Sequence, residues 1–164
     1  MRRGLLPLST VLIALALAPV VMANKPTREV NPVQDDMVIA GQCAFPVLAH
    51  IDGGEIVTNF TDQGGQPRKQ IVVFPANKVT LTNLDTDKSI TLPATGTFQV
   101  RAHSDGSVSF KITGHGAFAG NPITGEPGVW YLSGRLFAKF DADENLTSTG
   151  NTGNLVDLCP RLAS

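Results

Sequence analysis

Residues 97–112 read TFQVRAHSDGSVSFKI, and this stretch decides the fold class. Phe98, Val100 and Ala102 alternate with Thr97, Gln99 and Arg101. Ser104-Asp105-Gly106 then marks a turn, after which Val108, Phe110 and Ile112 alternate with Ser107, Ser109 and Lys111. A period of two with one apolar and one hydrophilic side belongs to antiparallel strands that have a dry and a wet face. The Asp-Gly pair between them is a hairpin signal.

The same period extends in both directions. Upstream, Val79 and Leu81 oppose Lys78, Thr80 and Thr82; residues 83–87 turn; Ile90 and Leu92 resume the buried side. Phe45, Val47, Ala49 and Ile51 alternate with Pro46, Leu48 and His50. Asp52-Gly53-Gly54 reads as a turn into a strand over residues 55–60, and residues 71–74 form a short apolar strand. Downstream, residues 115–128 hold Gly116, Gly120, Gly125, Gly128, Pro122 and Pro127 and read as a long loop. Trp130, Leu132, Gly134, Leu136, Ala138 and Phe140 follow as the inner face of a long strand, with Tyr131, Arg135 and Lys139 outside. Two short strands, near 146–149 and 155–158, end the chain. Residues 24–42 keep no period and read as an irregular lead-in. The expectation is an all-β fold: an antiparallel meander of about eight to ten strands closing into an up-and-down barrel, with a β-sandwich as the alternative. Closure would remove the two free sheet edges of a meander.

The ends of the chain set its organisation. Arg2 and Arg3 precede an almost wholly apolar run from Leu5 to Met22, and Val21-Met22-Ala23 offers small or medium side chains where a signal peptidase reads. That order defines residues 1–23 as an expected secretory signal peptide. The protein is then secreted, with no stable membrane insertion after cleavage, and residues 43–164 form a single β domain. Cys43 and Cys159, the two cysteines present, bracket the domain, and in an exported chain a disulfide between them is the default. The formal net charge is −1 and no basic patch stands out along the chain, so nucleic acid is not an expected partner.

No catalytic constellation is visible. G-x-S-x-G is absent, and Asp52 and Glu55 flank an exposed turn that would not separate their pKa values. Asp141-x-Asp143-x-Asn145 echoes the start of a calcium loop, but Leu146 and Thr152 stand where glycine and glutamate are required. His103 and His115 fall on the expected outer face of neighbouring strands, short of the three or four ligands a zinc site takes. No metal and no cofactor is expected. The inward face is the notable feature. Large side chains such as Phe98, Phe110 and Trp130 share it with Leu132 and small residues such as Gly134. These five are the candidate lining of an interior site. A barrel so lined either encloses a cavity or interlocks into a solid core.

Cys43-Ala44-Phe45-Pro46-Val47, the Leu81-to-Thr86 hairpin with Lys88-Ser89, Ser133-Gly134-Arg135, Phe140-Asp141-Ala142 and Val156-Asp157-Leu158-Cys159 resemble a group of exported single-domain β proteins of high-GC Gram-positive bacteria. That group has no established activity, so the resemblance implies an extracellular location and transfers no site residue. In outline the meander is also similar to calycin-type and allene-oxide-cyclase-type barrels, an analogy of fold that does not fix function. The reading that follows is a secreted binding module holding a small apolar molecule inside the barrel. One alternative is a surface-mediated interaction with a partner protein or cell-wall polymer, motivated by the threonine-rich outer face. Another is a barrel-type isomerase or cyclase.

Overall fold

The computed structural model describes residues 24–163. The expected signal peptide, residues 1–23, lies outside the described residues. Nine strands and one short helix follow in order: β1 (Thr27–Ile39), β2 (Val47–Thr61), β3 (Pro67–Phe74), β4 (Lys78–Asn83), β5 (Ser89–Pro93), β6 (Gly96–Ala102), β7 (Val108–Ala119), β8 (Val129–Phe140), β9 (Leu146–Asp157) and α1 (Cys159–Ala163). All-β and antiparallel is therefore the fold class, and every ladder in the sheet is antiparallel.

The nine strands make one sheet, ordered β5-β4-β2-β3-β6-β7-β8-β9, with β1 on the remaining edge of β2. The sheet is not closed, so the ring of ladders that a barrel requires is missing. The expected meander is also modified, because β2 pairs with β4 and β3 pairs with β6. The cause lies in β2. Its first half pairs with β4 and its second half with β3, both along the same edge. At the junction, residues 53–55, the sheet forks.

Asp52-Gly53-Gly54 is thus a fork and not a turn. β2 runs straight through it while β1 pairs alongside without a break. Gly53 sits at φ +150°, and a Cβ there would come within 2.3 Å of the Asn77 side chain. Asn77 belongs to the kink between β3 and β4, and its Oδ1 accepts from the Gly54 N–H at 2.8 Å. Glycine is required because the kink must approach the strand this closely.

Residues 24–42 are corrected as well: most of them form β1, thirteen residues long. Both faces of this edge strand are largely wet, so its sequence shows no alternation. Pro32 is tolerated because an edge strand has a side that donates no ladder bonds. Asp35, Asp36, Arg28 and Glu29 guard the edge against further pairing. The two expected C-terminal strands are one, β9, and β7 continues to Ala119, which shortens the long loop to residues 120–128.

At one end of the molecule the fork brings two arms of the sheet face to face. One arm is the first half of β2 with β1, β4 and β5; the other is the second half of β7 with β8, β9 and α1. Ile39, Val47, Ala49, Val79 and Leu81 from the first pack with Val129, Leu158 and Leu162 from the second to form the core. The Cys43–Cys159 disulfide joins the arms with Cα atoms 5.5 Å apart. Cys43 and Cys159 therefore meet without closure of the sheet into a barrel. Buried Asn83 adds a polar link, donating from Nδ2 to the Leu162 carbonyl at 3.1 Å.

An apolar cleft at the fork

Four glycines stand in register across four neighbouring strands: Gly96 with Gly114, Gly114 with Gly134, and Gly134 with Gly153. At Gly114 and Gly134 the φ angles are +119° and +146°. A Cβ on Gly114 would meet the Thr95 carbonyl oxygen at 2.3 Å, and one on Gly134 the Thr152 oxygen at 2.2 Å. An L side chain fits neither the backbone nor the space, so the row is a crease that only glycine permits.

The crease inverts the alternation. Before it, Phe98 and Ile112 face inward; beyond it, Ala117 and its ladder partner Tyr131 pack on the core, and His115 is on the cavity wall. Ile112 and His115 are an odd number of residues apart and could not share a side on an unbroken pleat. The same switch turns Val129 and Tyr131 toward the core at the start of β8, while Leu136 remains inward after Gly134 and Arg135, Phe137 and Lys139 remain outward. The assignment of Tyr131 to water is therefore corrected. Its hydroxyl donates to the Pro93 carbonyl on the opposite arm at 3.0 Å. Burial pushes its pKa up from the usual phenol value.

Between crease and fork lies a cavity of about 300 Å³, open on one side. Its wall is apolar for the most part, from Met37 and Ile39 on β1, Ile51 on β2, Phe74 on β3, and Phe98 and Ile112 beyond. Asn77 is occupied by its bond to Gly54. His115 is different: its Nδ1 is buried and has no hydrogen-bond partner among the described residues. The ring is held in place by stacking on Tyr131, centroids 6.0 Å apart. A buried polar atom left unpaired is uncommon and marks a place where a ligand can supply the partner. No Asp or Glu lines the cavity.

Of the five candidate lining residues, Phe98 lies on this wall. Phe110 stacks against Phe98 at 6.1 Å and meets Phe140 edge-on at 5.6 Å, farther along the same sheet face. Trp130, Leu132 and Gly134 are not on the cavity wall. Trp130 is half-buried and Leu132 wholly so, on β8 beside and beyond the crease, and Gly134 is part of the crease itself. His115 was missed because strict alternation puts it outside. The signal that finds it is the run Gly114-His115-Gly116 in register with other glycines. His103 is apart from His115 and bonds Ser109 through Nε2 at 3.0 Å. Among the described residues no group of His, Cys, Asp and Glu could hold a metal ion, and Asp141 instead organises its turn by accepting from the backbone N–H groups of Asp143 and Asn145. No protein-family model, curated protein or solved structure matches this chain.

Proposed function

We propose that this protein is an exported binding module that holds a small, mostly apolar molecule in the cleft between the two arms of its sheet. One observation carries the reading: an apolar cavity of about 300 Å³ presents a single unpartnered buried polar atom, His115 Nδ1. Such a site, apolar with few polar groups placed for orientation, is the usual form of a small-molecule pocket, here near the lower end of the size range. The ligand that fits is an aromatic or branched apolar body with one hydroxyl, carbonyl or similar group directed at the imidazole. The isomerase or cyclase reading would need a second ionisable group opposite His115, and none lines the wall.

Naphthalene and 1-naphthol test this. Both should bind saturably at one site, naphthol more tightly by about tenfold, the worth of one hydrogen bond to a group otherwise left unpaired. Ala117→Phe should abolish both by filling the cavity. His115→Leu should remove only the advantage of naphthol. Absence of saturable binding, or indifference to Ala117→Phe, overturns the proposal.

Export is part of the same proposal. The disulfide fits an oxidising compartment, and no helix among the described residues is long and apolar enough to cross a membrane. N-terminal sequencing of the protein from the cell-free fraction should read from near Asn24. An intact Met1 recovered in membranes would mean an anchor instead.

A further inference from the structure

Away from the disulfide end the sheet is seven strands wide, and its two faces differ sharply. The side of Val72, Phe98, Ile112 and Leu136 is apolar. The other side is built from rows of directly paired residues, which share a face in an antiparallel ladder. One row runs Arg28, Thr58, Ile71, Gln99, Lys111, Phe137. The next runs Phe60, Lys69, Arg101, Ser109, Lys139, Ser148. The third ends on Thr113, Arg135 and Thr152.

Six cations therefore stand on this face: Arg28, Lys69, Arg101, Lys111, Arg135 and Lys139. No Asp or Glu occupies any position of the three rows. Five of the six are exposed; Lys69 is half-buried, its ammonium 5.5 Å from the centre of the Phe60 ring. The ion pairs elsewhere, His50 with Asp36 and Arg68 with Asp62, involve none of them. The carboxylates nearest in the fold lie in the turns at the rim. Asp105 there is bonded to Ser107 and feels the charge of Lys139; Asp141 is bonded within its own turn, which also carries Asp143 and Glu144. Lys69 and Arg101 are directly opposite each other, an arrangement that destabilises a sheet by itself. A face that keeps it, in a chain of formal net charge −1, is arranged for an external anion.

We propose that this face docks a linear polyanion, a flexible chain of repeated anionic groups lying across the strands. Lys69, Arg101, Lys111 and Lys139 place one cation on each of four successive strands, Lys69 and Arg101 a single strand spacing of about 4.8 Å apart and Lys111 two residues along from their row. Twist of roughly 20–25° per strand accumulates to well over 100° across the sheet. A flexible chain can follow that surface, whereas a planar bilayer touches only part of it. Phe137 is the one large aromatic ring exposed beyond a third on this face, too little for a stacking platform of the kind that single-stranded nucleic acid uses.

The experiment is a titration of the mature protein with long-chain inorganic polyphosphate across a range of salt concentrations. Parallel titrations use poly-glutamate, oligothymidylate of equal charge, and vesicles rich in phosphatidylglycerol. Polyphosphate or poly-glutamate should bind, with a log–log salt slope of roughly −3 to −4, about −0.7 for each of four to six contacts; which of the two binds tighter identifies phosphate or carboxylate as the preferred group. The triple variant Lys69→Gln, Arg101→Gln, Lys111→Gln should lose at least tenfold in affinity and about two units of slope, while its urea midpoint stays at or above the parent's. Arg135→Gln with Lys139→Gln, made separately on β8, should weaken binding likewise. Arg68→Gln, whose guanidinium is already paired with Asp62, should not. No binding by either soluble polymer at low salt, or equal binding by both multiple variants, overturns the proposal. Binding to vesicles alone, or tighter binding to oligothymidylate than to polyphosphate, assigns the face to membrane or nucleic acid and overturns it too.

Discussion

Gly114→Ala tests the crease on which the cleft depends. Gly114 sits at φ +119°, and an alanine Cβ there would lie 2.3 Å from the Thr95 oxygen and 2.7 Å from the Gly96 Cα. Both are backbone atoms of the neighbouring strand, so no side chain can swing aside. Forcing a non-glycine residue into this region costs about 1–3 kcal/mol. Relieving the overlap means moving β6 by about 1 Å, which takes its 2.7–3.2 Å ladder bonds past useful length. The His115 N–H to Thr95 carbonyl bond at 2.7 Å, just before β6, would be stretched with them. Two such bonds weakened add about 1–2 kcal/mol, so the whole loss is about 2–5 kcal/mol. Gly116→Ala, two residues along, is the control. Its Cβ would meet nothing closer than the Phe118 ring at 3.8 Å, and its φ is ordinary. That change should be neutral or stabilise by up to about 1 kcal/mol, because alanine narrows the unfolded ensemble. Urea unfolding followed by fluorescence of the single tryptophan, Trp130, measures both. The midpoints should differ by about 2 M at an ordinary dependence on denaturant. Equal midpoints would show that the glycine row is not a steric necessity and would refute the account of the inverted pleat.

Further outcomes follow from other parts of the structure. Replacing Cys43 and Cys159 by serine opens a loop spanning 116 residues and should lower stability by up to about 4–5 kcal/mol in the chain-entropy view, read as a lower urea midpoint. Asn83→Ala removes the bonds to the Leu162 carbonyl at 3.1 Å and from the Asp85 N–H at 2.9 Å. With the Leu162 carbonyl left unpaired in a buried setting, it should cost about 1–3 kcal/mol and speed hydrogen exchange in α1. Three turn carboxylates are held below the usual range: Asp62 by the Gln66 N–H, Asp105 by the Ser107 hydroxyl and Asp141 by the Asn145 N–H. A folded pKa below the unfolded value makes these groups stabilising above the unfolded pKa and lost as pH falls through the folded one. Stability should therefore be insensitive to them at neutral pH and fall below about pH 4, and the triple Asp→Asn variant should show a shallower acid limb in a pH series of thermal melts.

The fold class, the hairpin over residues 97–112 and the bridge are legible in local sequence. Alternation is a local property, so residues 97–112 announce a β-hairpin whatever surrounds them, and two cysteines flanking one domain have no other partner to choose. The local code failed wherever a glycine changed the meaning of a neighbour. Asp52-Gly53-Gly54 reads as a turn, and only the approach of Asn77 makes it a fork. Gly114 and Gly134 read as gaps in a face, and only their register with Gly96 and Gly153 makes them a crease that sends His115 and Tyr131 inward. β1 went unread because an edge strand with two wet faces carries no hydrophobic period. The cationic face was invisible for a different reason. Its six side chains come from five strands, separated along the chain by acids that point elsewhere or sit in turns, so no window of sequence is basic. Pairing order and register decide which residues share a surface, and those are set by contacts between strands distant in the chain, which a single sequence does not display.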